Sequence, residues 1–555
     1  MKDFIRNNAR PIFYATWFVL GLVQALFTEL QDDEAYYWVY AHYLDWGYFD
    51  HPPMTALLIK AGGWLFGGEL GIRFFPLLLN TLTLLLTESL IENKNKLLFY
   101  AICLSAGVLQ IIGFWAVPDV PLLFFTALFF WCYKRFVYQT SFTNTLLLGV
   151  ACALLMYTKY HGALIILFTL LSNLKLLRRW PIYAAGMLAL LLYVPHLWWQ
   201  YQHDWISFRY HLFESNVNPY KVSYTTEYLA GQLLIAGPLA GIILWWSTFA
   251  YRTRNQLERA LKYTAIGIFI FFFLSSFKGR VEANWTAPAI IPMLVLTHQF
   301  LQQKSGWRQW LYRLLPATVV LVIVFRIIMV VDVVPVKAIV KRFHTWNNWP
   351  HQLSAVAKGT PIVFTNSYQR ASQAWFYTGT PAYSLNSYQE RRSNYNFWPI
   401  EDSLLGKPVY LMDIYGMHRF QDSIKARIWT VGYKYDSSFQ SFARVMLKPT
   451  QNKYSIGVNE SLTLQLQVQM PDHYKTYLQQ HPHVDMPVKV GVFQQQDWVK
   501  DVETPLTLQQ LVKEPQVQLS LPLQLPKGDY FLRVAIGTSF DVFTHNSDKI
   551  PVTVH

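Results

Sequence analysis

Apolar runs recur through the first 335 residues, roughly at 11–29, 70–90, 97–116, 120–133, 144–158, 161–174, 182–199, 228–250, 262–277, 285–301 and 311–333. A helix needs about 20 such residues to cross a hydrocarbon core. The eleven runs therefore predict about eleven membrane spans, with those between 120 and 174 short enough to tilt little, stop early or dip. After about 335 the pattern changes. Between 340 and 450 short apolar strands (Pro361-Ile-Val-Phe364, Val409-Tyr-Leu-Met412) alternate with helix-like stretches, which predicts a small α/β unit. Between 455 and 555 the period becomes two, in Leu462-Thr-Leu-Gln-Leu-Gln-Val-Gln469, Val488-Lys-Val-Gly-Val-Phe493, Val517-Gln-Leu-Ser-Leu521 and Tyr530-Phe-Leu-Arg-Val-Ala535. Turn residues such as Pro526-Lys-Gly-Asp529 separate these runs, as in an antiparallel sandwich. The expected fold class is an α-helical polytopic membrane protein with a C-terminal soluble region, an α/β unit plus a β-sandwich. Its domains are predicted at 1–335, with an outer loop at 30–67, then 336–450 and 451–555.

Composition supports the membrane reading and charge orients it. Hydrophobic residues are 53% and charged residues 14%, against roughly 25% charged in soluble proteins. The net charge of +14 does not point to nucleic acid, because the excess lies in short loops. Lys2, Arg6 and Arg10, then Lys94 and Lys96, Lys134 and Arg135, Lys175, Arg178 and Arg179, Arg252, Arg254, Arg259 and Lys262, and Lys304, Arg308 and Arg313 form one set. Positive-inside bias makes that set cytoplasmic. The N-terminus is then inside, and an odd number of spans puts residue 334 onward outside. Cys103, Cys132 and Cys152 lie in apolar runs and read as small hydrophobes. The segment after Arg10 lacks a small-residue cleavage site and reads as a first membrane helix.

Candidate chemistry gathers on the face opposite the basic loops. Asp32-Asp33-Glu34-Ala-Tyr-Tyr-Trp38 follows the first span. Ionisable groups at a membrane boundary are functional candidates, the bland alternative being a solvated acidic loop. Trp46-Gly-Tyr-Phe-Asp-His-Pro-Pro-Met54 puts Asp50 and His51 on backbone stiffened by two prolines. They suit a site wall or an ordinary juxtamembrane loop. Val117-Pro-Asp-Val-Pro121 holds Asp119, a catalytic acid or a helix cap. Lys159, in Tyr157-Thr-Lys-Tyr-His161, sits in a long apolar stretch and needs an anionic partner. Phe277-Lys-Gly-Arg-Val-Glu-Ala-Asn-Trp285 places Lys278 and Arg280 at another boundary, where snorkelling is the alternative. Nucleotide sugars and ATP are not available outside. A transferase there would draw its activated group from a polyprenyl phosphate, with Lys and Arg holding the phosphate and a carboxylate deprotonating the acceptor hydroxyl.

Asp33-Glu34-Ala-Tyr-Tyr-Trp38, Gly47-Tyr-Phe-Asp-His-Pro-Pro53, Pro118-Asp-Val-Pro-Leu122 and Lys159-Tyr160 together resemble the bacterial branch of the protein O-mannosyltransferase-like family, whose relatives include aminoarabinose transferases. The resemblance covers roughly 10–335. Ser367-Tyr-Gln-Arg-Ala-Ser372, Phe376-Tyr-Thr-Gly379 and Arg391-Arg-Ser-Asn-Tyr-Asn-Phe-Trp398 extend it into the soluble region and bring in Tyr368 and Arg391 as substrate-binding candidates. It implies a GT-C fold in a bacterial inner membrane and an inverting glycosyltransferase. That enzyme would move a hexosyl or pentosyl group from a polyprenyl-phosphate donor to a protein, lipid or glycan acceptor. It makes Asp33 the essential acid, with Asp32 and Glu34 as rivals, Asp119 a second acid, and Lys159 and Lys278 phosphate contacts. The aminoarabinose transferases of this family carry Glu-Lys-Pro where this chain has Asp50-His51-Pro52, a departure that weakens the case for aminoarabinose as donor sugar and lipid A as acceptor. No cofactor is expected, although Asp32-Asp33-Glu34 could hold a divalent ion.

A transporter or flippase of lipid-linked sugars is the alternative. It would place charges near the bilayer midplane and show internal repeats, whereas these charges lie at one boundary and no repeat is visible. A glycan sensor with a membrane anchor would not need so many spans. The orientation is directly testable: alkaline phosphatase fused after residue 340 is expected to be active. An inactive phosphatase there, with a cytoplasmic reporter active instead, overturns the topology.

Overall fold

The structure is a computed structural model that describes residues 8–214, 219–346, 349–416, 420, 422–425 and 430–555. The chain divides into two compact units, Met1–His344 and Thr345–His555. The first boundary therefore falls nine residues beyond the expected 335. The reason is a short amphipathic helix, Lys337–Phe343, whose Val340 and Phe343 are buried. Its Phe343 ring lies 5.8 Å from that of Phe325 in the preceding span.

All eleven apolar segments of the first unit are helical. Among the described residues, five helices are long and apolar enough to cross a membrane: Ala9–Phe27, Gly68–Leu90, Asp119–Tyr138, Trp180–Gln202 and Ser305–Val330. Val222–Ala236 and Gly241–Ala250 count as a sixth if taken together, although they meet at a 96° bend. The protein is a multi-pass membrane protein with fewer full-length spans, by this measure, than the eleven expected. The difference comes in part from helices that are short or interrupted: Lys96–Ser105, Phe142–Thr158 and Gly162–Ser172 have only 10–17 residues. Ala106 is extended between Lys96–Ser105 and Gly107–Ile111. Lys159 is extended between Phe142–Thr158 and Gly162–Ser172. The run at 120–133 errs the other way. Its helix continues through Lys134 and Arg135 to Tyr138 and becomes one of the five, with Arg135 laid over the Trp131 ring.

The second unit opens with a sheet of order β2-β1-β3-β5-β4, where β1 is Ile362–Thr365, β2 Ala382–Leu385, β3 Val409–Asp413, β4 Asp422–Lys425 and β5 Thr430–Asp436. β1 runs parallel to both β2 and β3. Covered on both faces, it is buried at all four positions, which is why it reads as an unbroken apolar run. The sandwich stacks β10-β9-β12-β13-β7 against β11-β8-β6. Here β6 is Met446–Pro449, β7 Tyr454–Ile456, β8 Ser461–Gln469, β9 Pro487–Gln494, β10 Asp497–Thr507, β11 Gln516–Pro522, β12 Gly528–Ile536 and β13 Ile550–Val554. Antiparallel pairing sets Leu462, Leu464 and Leu466 opposite Leu521, Leu519 and Val517. It likewise sets Val488, Val490 and Val492 opposite Ile536, Val534 and Leu532. These side chains form one core. The expected seam at 450 shifts, because β6 belongs to the sandwich and pairs with β8.

The bend at Gly237 depends on glycine. Its φ is +145°, and a Cβ there would lie 2.1 Å from the Ser105 carbonyl oxygen. Strained backbone of this kind costs of order 1–3 kcal/mol before the clash is counted. Gly237→Ala is expected to lower the thermal midpoint of the detergent-solubilised protein. Gly306→Ala, with open space around the new methyl, should leave it unchanged. Equal midpoints for the two variants would remove the argument for the bend.

Candidate active site

The first outer loop begins with a helix, Asp32–His42, closed at its start by a capping box between Gln31 and Glu34. The three adjacent acids separate by role. Asp33 is exposed on the first turn and Asp32 is half-buried. Glu34 is fully buried. Its Oε1 accepts from Arg73 Nε (2.8 Å) and from the Ala116 amide (2.8 Å). Its Oε2 accepts from Arg73 Nη2 (2.6 Å) and the Gln31 amide (3.0 Å). Glu34 was grouped with the catalytic acids on sequence, but its oxygens are fully engaged in holding backbone and Arg73. Among the described residues no three or more His, Cys, Asp or Glu side chains gather as a metal site.

Arg73, fully buried in the Gly68–Leu90 helix, completes the clamp. Beyond its two bonds to Glu34, Nη1 donates to the carbonyls of Ala25 (3.0 Å) and Thr28 (2.7 Å). Nη2 donates to that of Glu29 (2.9 Å). One side chain thus ties the end of the first span to the helix that carries Asp33. Through Glu34 and Ala116 it also reaches the turn before Asp119.

Asp119 opens the Asp119–Tyr138 helix and is buried. Lys159 Nζ meets its Oδ1 at 2.9 Å, and Asn284 Nδ2 meets its Oδ2 at 2.9 Å. Lys159 does have the anionic partner that its apolar surroundings demand, and in this structure that partner is Asp119. Two N–H bonds of Lys159 make no hydrogen bond among the described residues.

Asp50 and His51 close another wall. Tyr40 donates to Asp50 Oδ1, and Tyr40 stacks on Tyr48 at 3.9 Å. The loop is fastened to the Trp180–Gln202 helix by His196 Nδ1 donating to the Trp46 carbonyl (2.7 Å). It is fastened beyond that helix by Ser207 Oγ donating to the Tyr48 carbonyl (2.7 Å) and His211 Nε2 to that of Asp50 (2.8 Å). Gly47 permits this approach, since a Cβ there would lie 2.5 Å from the Trp199 ring. His51 Nδ1 is buried and makes no hydrogen bond among the described residues. Burial pushes the His51 pKa down to about 4; Lys159 and His211 push the same way, against Asp50 and Asp119. His51 is therefore neutral at ordinary pH, within electrostatic reach of the Asp119–Lys159 pair.

The remaining candidates have partners of their own or none in the group just described. Lys278 is exposed and makes no ion pair among the described residues. Arg280 is exposed and stands 3.6 Å from both Glu227 and Glu282. In the second unit Arg391 Nη2 donates to the Tyr368 hydroxyl at 2.6 Å and lies over its ring. The sequence reading missed Arg73 and Asn284. Arg73 carried the signal that marked Lys159, a lone cation in an apolar run. Asn284 lies inside the quoted Phe277–Trp285 segment and offered no charge.

Comparison with known proteins bears on the fold. Residues 50–199 match the family described as dolichyl-phosphate-mannose-protein mannosyltransferase. The lipid A galacturonosyltransferase RgtD of Rhizobium johnstonii is 27% identical over 293 residues, 48% of this chain and 60% of that protein. An uncharacterized protein of Aquifex aeolicus is 28% identical over 273 residues, 46% of this chain and 53% of that one. The chain thus spans little more than half the length of these relatives. ArnT from Cupriavidus metallidurans superposes with a TM-score of 0.55 when bound to undecaprenyl phosphate, at 16% identity, covering 76% of this chain and 96% of that one. In its apo state the TM-score is 0.58 at 14% identity, covering 77% and 97%. The fold is that of the GT-C membrane glycosyltransferases.

Glu34→Gln keeps the size of the side chain and leaves the Arg73 charge buried. Breaking such a pair costs about 3–5 kcal/mol, so a marked fall in the thermal midpoint is expected. Asp33→Asn, at an exposed position, should leave the midpoint near that of the parent. A Glu34→Gln protein as stable as the parent would return Glu34 to the chemistry.

Proposed function

We propose that the protein is an integral membrane glycosyltransferase that moves a sugar from a polyprenyl-phosphate carrier to an acceptor hydroxyl outside the membrane, with inversion. One observation carries this reading. Glu34 bonds the Ala116 amide, and so links the helix that presents Asp33 to the turn leading into the Asp119–Lys159 pair. The two acids and the lysine, from three separate stretches of sequence, belong to one construction. The relative that carries the name lipid A galacturonosyltransferase and the fold neighbour solved with undecaprenyl phosphate support a lipid-linked donor.

In this reading the acceptor oxygen attacks the anomeric carbon from the face opposite the carrier. The bond between that carbon and the phosphate oxygen breaks, the hydroxyl proton passes to Asp33, and the carrier leaves as polyprenyl phosphate. Exposure lets Asp33 meet an acceptor from outside, and the clamp beneath it keeps it in place. Lys159 offers its two open N–H bonds to the phosphate while Asp119 and Asn284 fix its position, and Lys278 and Arg280 add charge at the rim. His51, Asp50, Tyr368 and Arg391 stand as substrate contacts. The reading requires no divalent ion, because Asp119 is already matched by Lys159 and Glu34 by Arg73. In the same reading the second unit lies outside the bacterial inner membrane, as the one-sided Lys and Arg distribution of the loops supports.

Positioned proton removal is typically worth about 10²–10⁴-fold in rate. Asp33→Asn is expected to reduce transfer of radiolabelled sugar from polyprenyl-phosphate donors in proteoliposomes by that range, with donor affinity retained. Near-parental turnover in Asp33→Asn, with Asp119→Asn inactive, would move the base elsewhere.

A further inference from the structure

The last long helix of the first unit, Ser305–Val330, carries an arginine that the site does not use. Arg326 lies four residues before the end of that helix, about 6 Å along the axis, and is half-buried. Its Nε and Nη2 both donate to one acceptor, the Gln110 carbonyl, at 3.2 and 2.5 Å. Three of its five N–H bonds have no partner, and it meets no carboxylate, among the described residues. A cation without an anion is costly beside hydrocarbon, and the flank around it is apolar: Val320, Ile323, Val324 and Ile327 are exposed on the same helix.

The chain then returns to this helix end. His344 Nε2 donates to the Ile328 carbonyl at 2.8 Å, Phe343 packs on Phe325, and the short helix between exposes Lys337, Lys341 and Arg342. Arg342 lies over the Trp115 ring. From Arg326 to Arg342 there are four basic residues and one acid, Asp332. On the proposed topology this is the outer end of the span, where positive-inside bias thins basic residues. A concentration of them there calls for a separate cause.

We propose that Arg326, Lys337 and Arg342 form a seat for the phosphate of an anionic membrane lipid, its acyl chains lying along the exposed apolar flank of Ser305–Val330. The open guanidinium N–H bonds of Arg326 meet the phosphate below the headgroup plane, and Lys337 and Arg342 meet it from above. Trp115, under Arg342, sits where an indole ring suits the interface. None of the three basic residues is hydrogen-bonded to Asp119 or Lys159 among the described residues.

The test uses the full-length protein in detergent, titrated with phosphatidylglycerol, phosphatidylcholine or inorganic phosphate, with bound lipid read by native mass spectrometry and by thermal shift. Phosphatidylglycerol is expected to bind and stabilise, and the other two are not. A basic residue near an anionic surface is worth about fivefold in affinity. Arg326→Gln should therefore lose about fivefold, and the double variant Lys337→Gln/Arg342→Gln, at exposed positions that do not endanger folding, somewhat more. Equal binding of phosphatidylcholine overturns the proposal. So does equal stabilisation by inorganic phosphate, which would identify a soluble anion as the occupant. If Arg326→Gln does not fold, the double variant decides alone, and parental affinity in it overturns the proposal.

Discussion

Arg73 is the constraint on which the rest of the first unit's site depends. Its planar fork presents five N–H bonds, and all five are used: two on Glu34 and three on the carbonyls that end the first span. Helix ends leave carbonyls without intrahelical partners, and in a bilayer such groups need partners within the protein. Arg73 supplies them and takes its counter-charge from the next helix. A buried ion pair of this sort adds little net stability over an apolar replacement, although losing one partner is costly. Its value lies in placement. The Asp32–His42 helix can start at only one position relative to the Gly68–Leu90 helix, and Asp33 is set outward as a consequence of Glu34 being held inward.

The Asp119–Lys159–Asn284 group applies the same logic with two Lys159 N–H bonds left open among the described residues. Desolvating a lysine and an aspartate together is tolerable because each neutralises the other and Asn284 satisfies the second carboxylate oxygen. An arriving phosphate would share Lys159 with Asp119, a competition between two anions that holds the lysine in place before the ligand comes. The arrangement needs no reorganisation on binding, the condition under which electrostatic stabilisation is most effective.

The sequence made the fold legible where periodicity is strong. The sandwich strands alternate so regularly that their registers pair leucine with leucine and valine with isoleucine. Membrane helices were legible as apolar mass, and the interruption at Lys159 falls between two runs, but the one at Ala106 was not legible, since hydropathy does not weigh the backbone angles that make it. In the site, charge drew attention to Asp33, Asp119 and Lys159. It could not sort Asp33 from Glu34, because adjacent residues on a first helical turn point in different directions and only the position of Arg73 decides which is buried. Asn284 escaped because an uncharged amide has no signature until the carboxylate it serves is located.

Two arginines in membrane helices show how such residues can be told apart. Arg73 and Arg326 offer the same five donors, and for each a charge in apolar surroundings is costly. Around Arg73 the chain provides five acceptors from three elements, so no donor remains for a ligand and the side chain is part of the scaffold. Around Arg326 the described residues provide one carbonyl, and the short helix that follows its span brings further cations instead of an acid. A scaffold arginine is finished by the fold. One left with open donors and positive neighbours needs an anion from outside the chain, and at a membrane boundary the phosphates of lipids are the anions present in quantity.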